Sequence, residues 1–414
     1  MSPTRTRATV AFALGCLGFA YAFVQRVAPS VMTGELMRDL GVGAAALGTL
    51  SAMYFYSYAV IQLPVGMLLD RFGPRKLLSA AMLVCAGASL AFASSDTLVT
   101  AAMSRALIGA AVAFCFVGTL TVINLWLPPE RFATLSGLVQ SVGMLGAMLG
   151  QAPLRLIVDE FGWRGGFQLL AVAAGVLAIV MFVVIPRRAP REKADTVTNP
   201  AAETGSARDV LTNPHTWRCA LIGFTLTPIM LAFAGLWSVP WMVQVHGFSE
   251  SAAAGTASLM FLGWAIGSVG SGLLSDALGR RKPVLLVGAL VCGLGFLTLL
   301  LLPSPSRAVL SLLFIVTGLG GACMVLTFGL VRVGNPPAHA AAAMGVVNTC
   351  VVGSGAVMQP LIGWLLERGW DGRLQEGVQV FDAANYRLAF ATLLVLVVIG
   401  GLASLTLKER DTHA

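Results

Sequence analysis

The sequence predicts an all-α integral membrane protein, with 12 transmembrane helices in two pseudo-symmetric six-helix bundles. Three observations lead to this prediction: the composition, the length of the apolar runs, and a repeat that relates the two halves. Of the 414 residues, 57% are hydrophobic and 11% are charged, whereas soluble domains average about 25% charged residues. A soluble fold of this length has too little interior for so much apolar surface, but a lipid bilayer accommodates it.

The apolar residues fall into twelve runs of roughly twenty residues or more, which is the length that crosses a bilayer. Inside lipid the backbone must satisfy its own hydrogen bonds, and runs of this length without alternation predict helices rather than a barrel. The predicted spans are 8–32, 44–69, 77–95, 97–127, 132–158, 165–186, 217–243, 252–275, 284–302, 307–331, 340–366 and 386–407.

The distribution of Lys and Arg predicts the orientation of the chain. With the N-terminus in the cytoplasm, eighteen basic residues fall in cytoplasmic segments and six on the opposite side. The other three, Arg26, Arg105 and Arg155, fall within spans. An even number of spans then predicts that both termini are cytoplasmic, so loop orientation explains the net charge of +8 without a nucleic-acid partner.

A polar stretch rich in Pro and Ala separates the sixth span from the seventh. Such a composition cannot bury a core and predicts a flexible linker. The predicted organisation is therefore an N-terminal six-helix bundle at 1–188, a cytoplasmic linker at 189–214 and a C-terminal six-helix bundle at 215–414.

Three segments of the first half recur in the second half, in the same order and at a nearly constant offset. GMLLDRFGPRK (66–76) recurs as GLLSDALGRRK (272–282), LPPERFATLSG (127–137) as NPPAHAAAAMG (335–345), and DEFGWRG (159–165) as LERGWDG (366–372). The offsets are 206, 208 and 207 residues, which indicates a duplication. Paired repeats around a central site are how many transporters alternate access.

The first of these repeats is a loop whose residue types have a physical reading. Gly66 permits close helix approach and Gly73 a tight turn, while Asp70 is an anion suited to a helix N-terminus. Arg71 and Arg75 can pair with carboxylates or lipid phosphates. A single copy is equally well explained as a turn whose basic residues anchor it in the cytoplasm. Two copies six spans apart favour a functional role for the loop.

This loop, together with twelve spans and a linker at the midpoint, resembles the major facilitator superfamily, whose hallmark is such a loop after spans two and eight. The resemblance implies two bundles that rock about a cavity lined by spans 1, 2, 4, 5, 7, 8, 10 and 11. It also implies that loop residues latch the bundles on the cytoplasmic side. The implied gating residues are Gly66, Asp70, Arg71, Gly73 and Arg75 in the first copy and Gly272, Asp276, Gly279, Arg280 and Arg281 in the second.

The loops depart from the family pattern in several places. Pro74 stands where a basic residue is common, and Ala277 replaces the Arg that usually follows the aspartate. The usual acidic partner near the cytoplasmic end of span four is absent; Asn124 is there, with Glu130 beyond it. The second loop therefore matches the family pattern less closely than the first.

Charges within spans need a reason, because a basic side chain near the bilayer centre costs roughly 2.5–3.5 kcal/mol on insertion scales. Arg26 either reaches the outer headgroups or faces a cavity, where its guanidinium would hold a carboxylate or phosphate. The segment QRVAPSV around it resembles the span-one arginine segment of organic-anion and sugar-phosphate carriers. The segment that begins at Arg105 resembles the superfamily's span-four RxxxG pattern. Its arginine serves in substrate binding, in coupling or only in helix packing. Arg155 is interpreted as snorkelling to the outer interface.

Further candidates for a substrate site lie on helix faces. Tyr54, Tyr58 and Gln62 repeat every four residues, which places them on one face of span two. Trp237 and Trp241 form a second i, i+4 pair, although Trp241 is equally suited to the membrane interface. Asn348 and Gln359 in span eleven complete the predicted substrate-binding set.

The residue types that are missing from the predicted spans argue against several classes of function. No acidic residue and no histidine falls within the core of a predicted span, and a buried carboxylate is the usual proton carrier and recogniser of cationic drugs. A multidrug cation/proton antiporter is therefore not favoured. The seven cysteines show no paired spacing and predict neither a disulfide nor a metal site. No cofactor is predicted, and the absence of a nucleophile–base pair argues against an enzyme.

The leading hypothesis is a secondary active transporter in a bacterial-type plasma membrane that takes up a small organic anion, either a carboxylate or a phosphorylated metabolite. One alternative is a carrier of a neutral or zwitterionic metabolite, in which Arg26 is structural. Another is a transport-incompetent sensor of the same fold. The expected partners are a small-molecule substrate and the lipid bilayer, and nothing in the loops suggests an obligate oligomer.

Overall fold

A computed structural model of the chain describes residues 3–128, 131–186, 207–336 and 339–407. Three sequence predictions lie partly or wholly outside the described residues. They concern Glu130, the side chain of Asp70, and the part of the predicted linker between 189 and 206. The chain divides into two compact units: unit 1 is Met1–Val42 with Thr49–Thr198, and unit 2 is Gly43–Gly48 with Asn199–Ala414.

The described residues of the first half form seven α-helices and a short 3₁₀ turn (Ala28–Val31). The helices are α1 (Pro3–Val27), α2 (Thr33–Leu40), α3 (Ala44–Phe72), α4 (Pro74–Ala93), α5 (Leu98–Trp126), α6 (Phe132–Leu149) and α7 (Ala152–Val184).

The second half is also helical over the described residues, with a π-helix (Ile229–Trp237), a 3₁₀ turn (Ala322–Val325) and one small hairpin. The helices are α8 (Ala207–Thr212), α9 (Pro214–Leu226), α10 (Ser238–His246), α11 (Glu250–Leu278), α12 (Lys282–Leu301), α13 (Arg307–Gly321), α14 (Leu326–Val333), α15 (Ala340–Arg368) and α16 (Ala383–Leu405). The antiparallel hairpin of β1 (Leu374–Gln375) and β2 (Val378–Gln379) precedes α16.

Within the described residues, 11 apolar segments are long enough to cross a membrane. One of them, Thr134–Val184, has 51 residues and would be about 77 Å long as one helix, more than twice the thickness of a bilayer core of about 30 Å. Because this length exceeds one crossing, the segment contains two. The chain leaves helical geometry within it between α6 and α7, and again at Gly162, where φ is 69° and ψ is 170°. The prediction of twelve membrane helices is confirmed.

Corresponding spans pack together in the two units. In unit 1 the extensive pairs are α4 with α7, α4 with α5, and α1 with α6. Their counterparts in unit 2 are α12 with α16, α12 with α13, and α9 with α15. The same three span pairs, 3–6, 3–4 and 1–5 within each half, therefore recur, which agrees with the repeat seen in the sequence.

The start of α3 belongs to unit 2 and is capped there. The backbone N–H of Ala44 donates to Gln379 Oε1 at 3.0 Å, and the N–H of Ala45 donates to Glu367 Oε2 at 3.1 Å. The first N–H groups of a helix have no partner within the helix, and a carboxylate is favourable at that end. These two side chains thus satisfy orphan donors of α3.

A network of ion pairs surrounds Arg155, which is 7% exposed. Its guanidinium donates to the carbonyl of Val31 at 2.6 Å, to Glu35 Oε1 at 2.7 Å and to Asp159 Oδ1 at 2.7 Å. The interpretation of Arg155 as a snorkelling residue is wrong. Two carboxylates and a carbonyl hold its charge inside the unit, where it links α2 to α7.

The cysteines are packed as small side chains. Six of the seven, all except the half-buried Cys350, are buried and every one is a free thiol. No group of three or more His, Cys, Asp or Glu among the described residues is arranged to hold a metal ion.

Candidate functional site

The side chain of Arg26 lies inside unit 1, surrounded by aromatic rings. It is 7% exposed, and its guanidinium carbon is 4.2 Å from the centroid of the Phe23 ring. The rings of Tyr54 and Tyr58 lie 5.6 and 5.4 Å from the same carbon. A cation over an aromatic face at these distances is attracted by the ring quadrupole. The burial of Arg26 argues against the first of its two predicted positions, in which it reaches the headgroups.

Arg105 on α5 is fully buried and lies on the same tyrosine. Its guanidinium carbon is 5.3 Å from the Tyr54 ring centroid, and its Nη1 donates to the carbonyl of Gln25 at 2.8 Å. Its Nε and Nη2 atoms have no hydrogen-bond partner among the described residues. The structure therefore brings together Arg26, Arg105, Tyr54 and Tyr58, four of the residues predicted from sequence, and we call this group the arginine–tyrosine cluster.

Gly109, one turn after Arg105, allows the close approach that forms this cluster. A Cβ at position 109 would collide with the backbone carbonyl of Tyr54 and would lie 2.5 Å from Ser57 Oγ. Glycine thus lets the backbones of α3 and α5 touch, which holds Tyr54 beside Arg105. The RxxxG spacing noted in the sequence has this packing role.

The positive charge of the cluster has no counter-ion in the part of the chain that the structure describes. Neither Arg26 nor Arg105 is paired there with a carboxylate, and Arg26 Nε also lacks a hydrogen-bond partner. A buried charge without a partner is expensive, so such groups are normally paired. The cluster is therefore chemically complementary to an anion.

Three polar side chains next to the cluster were not predicted from the sequence. Gln25 is fully buried, and its Nε2 donates to the hydroxyl of Tyr21 at 2.6 Å and to Ser89 Oγ at 2.9 Å. Tyr21 in turn donates to the carbonyl of Leu170 at 2.8 Å. Gln25 Oε1 has no partner. The signal that would have found this group is a glutamine beside Arg26 in an otherwise apolar run.

The predicted stripe on α3 becomes less buried along its length. Tyr54 and Tyr58 stack with ring centroids 6.1 Å apart and planes 15° from parallel, and the Tyr54 hydroxyl donates to the carbonyl of Ala22 at 2.9 Å. Gln62, one turn further on, is half-buried, and its Nε2 has no hydrogen-bond partner. Tyr54 is thus fixed by a hydrogen bond to α1, whereas Tyr58 stacks on Tyr54 and interacts with the side chain of Gln62.

The candidates of unit 2 lie in two different surroundings. Trp237 ends the π-helix, and its Nε1 donates to the carbonyl of Gln359 at 3.1 Å, while Gln359 Nε2 donates to the carbonyl of Leu231 at 2.8 Å. Gln359 Oε1 has no partner. Trp241 instead packs among aromatic rings, 5.7 Å from Phe233.

The two tryptophans therefore do not form one surface, although they are four residues apart. Asn348 is half-buried on α15. In contrast to unit 1, the buried side chains of the described part of unit 2 include hydroxyls and amides but no charged group.

The predicted turns of both gating loops have the expected backbone geometry. Gly73 has a φ of 76° and Gly279 a φ of 63°, a region that glycine enters without steric cost. The close helix approach expected at Gly66 is wrong, because a Cβ at Gly66 or at Gly272 would have no described atom within 4 Å. Both of these glycines face open space.

Basic side chains of the loops contact their own half. Arg75 lies 4.6 Å from the ring centroid of Phe182, and Arg71 lies 5.2 Å from that of Phe72. In the second copy, Arg281 Nη1 donates to the carbonyl of Gly329 at 3.4 Å, whereas Asp276 and Arg280 are exposed. The latch implied by these residues stays a prediction.

Comparison with known proteins covers nearly the whole length of the chain. The sequence profile described as Major Facilitator Superfamily matches residues 14–273 and 239–414. Among curated proteins, the "Probable sulfoacetate transporter SauU" of Cupriavidus necator is 24% identical over 96% of this chain and 93% of its own length. The "Probable galactarate/D-glucarate transporter GudP" of Bacillus subtilis is 24% identical over 94% of this chain and 91% of its own length.

A solved structure supports the same fold. The bacterial homologue of the human lysosomal transporter Spinster, in an inward-facing and occupied conformation, matches with a TM-score of 0.80 at 16% identity. The match covers 98% of this chain and 97% of that one. At this identity the similarity concerns the fold alone.

Proposed function

This chain belongs to the Major Facilitator Superfamily, and on that premise we propose that it carries a small organic anion across the membrane by alternating access. It is a multi-pass membrane protein and a secondary transporter rather than an enzyme. The cargo class we propose is a carboxylate or a phosphorylated metabolite. Arg26 is the main anion contact, and Arg105, Tyr54, Tyr58 and Gln62 assist it.

The observation that carries this proposal is the unmatched charge of the arginine–tyrosine cluster. Two guanidinium groups lie beside one tyrosine ring, and three of their N–H-bearing atoms have no partner. A carboxylate or phosphate supplies both the missing negative charge and the missing acceptors, because its oxygens accept two parallel hydrogen bonds from a guanidinium. A neutral cargo would satisfy the donors but would leave the charge.

The names of the relatives agree with this chemistry. Sulfoacetate and glucarate, named for two relatives that each cover more than nine-tenths of this chain, are anions. We infer the same class of cargo here, without choosing between them. For the remaining predicted contacts, Trp237, Trp241, Asn348 and Gln359, we propose roles in shaping the cavity for the uncharged part of the cargo.

We also propose the remaining features of a carrier of this type. The bundles are 1–188 and 215–414, joined by the linker 189–214, and both termini face the cytoplasm of a bacterial cell. The bias of basic residues towards the cytoplasmic loops supports this orientation. The two loops act as the cytoplasmic latch, with Asp70 as its acidic member.

The proposal is tested first by ligand binding. Purified protein is heated with sulfoacetate, D-glucarate, glycerol phosphate, an amino acid or a nucleoside, and a bound ligand raises the midpoint of unfolding by mass action. We expect stabilisation by at least one anion. Stabilisation by only the amino acid or the nucleoside would instead support a carrier of neutral or zwitterionic cargo.

Transport into reconstituted vesicles then tests the site. Losing a charge-assisted pair of hydrogen bonds costs about 1.5–3 kcal/mol, so Arg26→Gln should weaken the apparent affinity roughly 10- to 150-fold. The matched control is Arg332→Gln, which removes an exposed arginine at the end of α14. Unchanged affinity in the Arg26 variant would overturn the anion site, and ligand binding without flux would indicate a sensor.

A further inference from the structure

We propose that this carrier works as an anion exchanger, because its own cargo is the counter-charge that the arginine–tyrosine cluster needs in order to change conformation. This inference rests on the proposed function and adds the mode of coupling. It arises from what surrounds Arg26 and Arg105, and from the contrast with the third buried arginine of the same unit.

The titratable side chains that interact electrostatically with the cluster are phenols and thiols. Tyr54 and Tyr58 come from α3, Cys85 from α4 and Cys115 from α5, and Tyr21 on α1 interacts with Cys85. Thiols and phenols are neutral at pH 7. Within the described residues, no carboxylate or histidine joins this group, so no fixed group there is suited to exchange a proton as the cargo binds and leaves.

The chain does neutralise a buried arginine where the charge is structural. Arg155 is as buried as Arg26 and holds Glu35 at 2.7 Å and Asp159 at 2.7 Å. The same unit therefore contains one arginine with permanent carboxylate partners and two without. The missing partners of Arg26 and Arg105 are consequently a feature of this site and not of the unit as a whole.

The energetic consequence concerns the return of the empty carrier. Alternating access passes through a state in which the site is closed to water on both sides. Without cargo, that state would contain two unneutralised guanidinium groups with unmet donors, which is strongly unfavourable. With an anion bound, the charge is reduced and the donors are satisfied. Reorientation is therefore much slower without cargo than with it, and a carrier whose empty form barely returns works mainly by exchange.

Gln25 marks the position at which a fixed negative charge would remove this dependence. Its backbone carbonyl accepts from Arg105, and its fully buried amide reaches the hydroxyls of Tyr21 and Ser89. A glutamate has nearly the same shape, and its carboxylate can accept a hydrogen bond from Ser89, whereas the Tyr21 hydroxyl already donates to the carbonyl of Leu170. The glutamate would place a carboxylate beside the cluster, so that the empty site is partly neutralised.

The test compares exchange with net uptake in vesicles containing the full chain. Labelled sulfoacetate or D-glucarate is added outside, and the interior contains either the same unlabelled anion or only uncharged buffer with potassium chloride. Potassium and valinomycin clamp the membrane potential, so that net uptake is not limited by accumulated charge. We expect exchange to be at least tenfold faster than net uptake, equivalent to about 1.4 kcal/mol in the barrier. A pH gradient should not drive accumulation.

Two variants separate the proposed cause from a general defect. Gln25→Glu should lower the ratio of exchange to net uptake several-fold and make net uptake sensitive to pH. Gln25→Met, which is similar in size but uncharged, should keep the high ratio. Net uptake as fast as exchange in the natural chain, or accumulation driven by a pH gradient, would overturn the inference but leave the anion site intact. No flux of either anion in any mode would overturn the proposed function itself.

Discussion

Replacing Gly109 with alanine is the most direct perturbation of the packing that forms the arginine–tyrosine cluster. The added Cβ would collide with the carbonyl oxygen of Tyr54 and would lie 2.7 Å from its Cα, whereas carbon atoms in contact prefer about 3.5–4.0 Å. The helices α3 and α5 must then separate by about 1 Å. Backbone atoms cannot yield by changing rotamer, so the separation moves the whole turn that bears Tyr54.

The expected cost follows from overpacking, which destabilises a protein by typically about 1–3 kcal/mol. Thermal unfolding in detergent, followed by tryptophan fluorescence, measures this loss. Gly175→Ala on α7 is the matched control, because a Cβ there has nothing within 4 Å and alanine is favoured over glycine within a helix by about 0.5–1 kcal/mol. The two variants, identical in chemistry, should therefore shift the midpoint of unfolding in opposite directions.

The functional consequence of Gly109→Ala is a weaker affinity for the anion, because Tyr54 moves relative to both Arg26 and Arg105. Uptake into vesicles at varied anion concentration measures this affinity, and Gly175→Ala should leave it unchanged. A Gly109→Ala protein with the stability and the anion affinity of the natural chain would refute the packing argument.

Three further outcomes are expected. Glu35→Gln removes one of the two carboxylates that pair with Arg155. Breaking a fully buried pair costs about 3–5 kcal/mol of stability, and the retained Asp159 should make the loss of stability smaller. Thermal unfolding measures it. Burial raises the pKa of the Asp39 carboxyl, but hydrogen bonds from Trp163 and two arginines lower it by more, so the pKa in the folded protein lies below the ordinary value. The stabilisation from this carboxylate should therefore be lost as the pH falls below about 4. Asp39→Asn should flatten that acid transition. Asp70→Asn should slow turnover more than it weakens binding.

Each of these outcomes has a comparison that can contradict it. Asp96→Asn removes a carboxylate that is 85% exposed from its pair with Arg164 and should cost less than about 1 kcal/mol; an equal loss in both variants would argue against a special role for the Arg155 network. An acid transition that is the same in the Asp39→Asn protein as in the natural chain would exclude this carboxylate as its cause. An Asp70→Asn protein with normal turnover would exclude that residue from the latch.

The membrane helices could be predicted from the sequence because their signal is local. The length of an apolar run reports one crossing, and the φ > 0 turn at Gly73 follows from residue type and spacing. The turn at Gly162 falls in the predicted loop between spans five and six. The break between α6 and α7 and the π-helix at Ile229–Trp237 lie inside predicted spans instead, because no short window of sequence contains the tertiary packing of a helix. The open space beside Gly66 was missed for the same reason.

The site could be predicted only as separate candidates. An arginine within an apolar run is conspicuous, so Arg26 and Arg105 were found, but their shared contact with Tyr54 joins residues on three helices. For Arg155 the sequence offered Asp159 four residues away, whereas Glu35 lies 120 positions earlier in the chain. Partners at that separation decide whether a buried charge is structural or available to a ligand.

The burial of the native thiols makes this chain convenient for chemical labelling. A thiol reacts as its thiolate, and cysteines buried in apolar surroundings are inert. Since only Cys350 is not fully buried, a Cys350→Ala protein has no readily reactive thiol in its folded state. Single cysteines can then be introduced into it to carry fluorophores or spin labels. The six retained thiols would then react only as the fold opens, so one preparation could report both conformational change and unfolding.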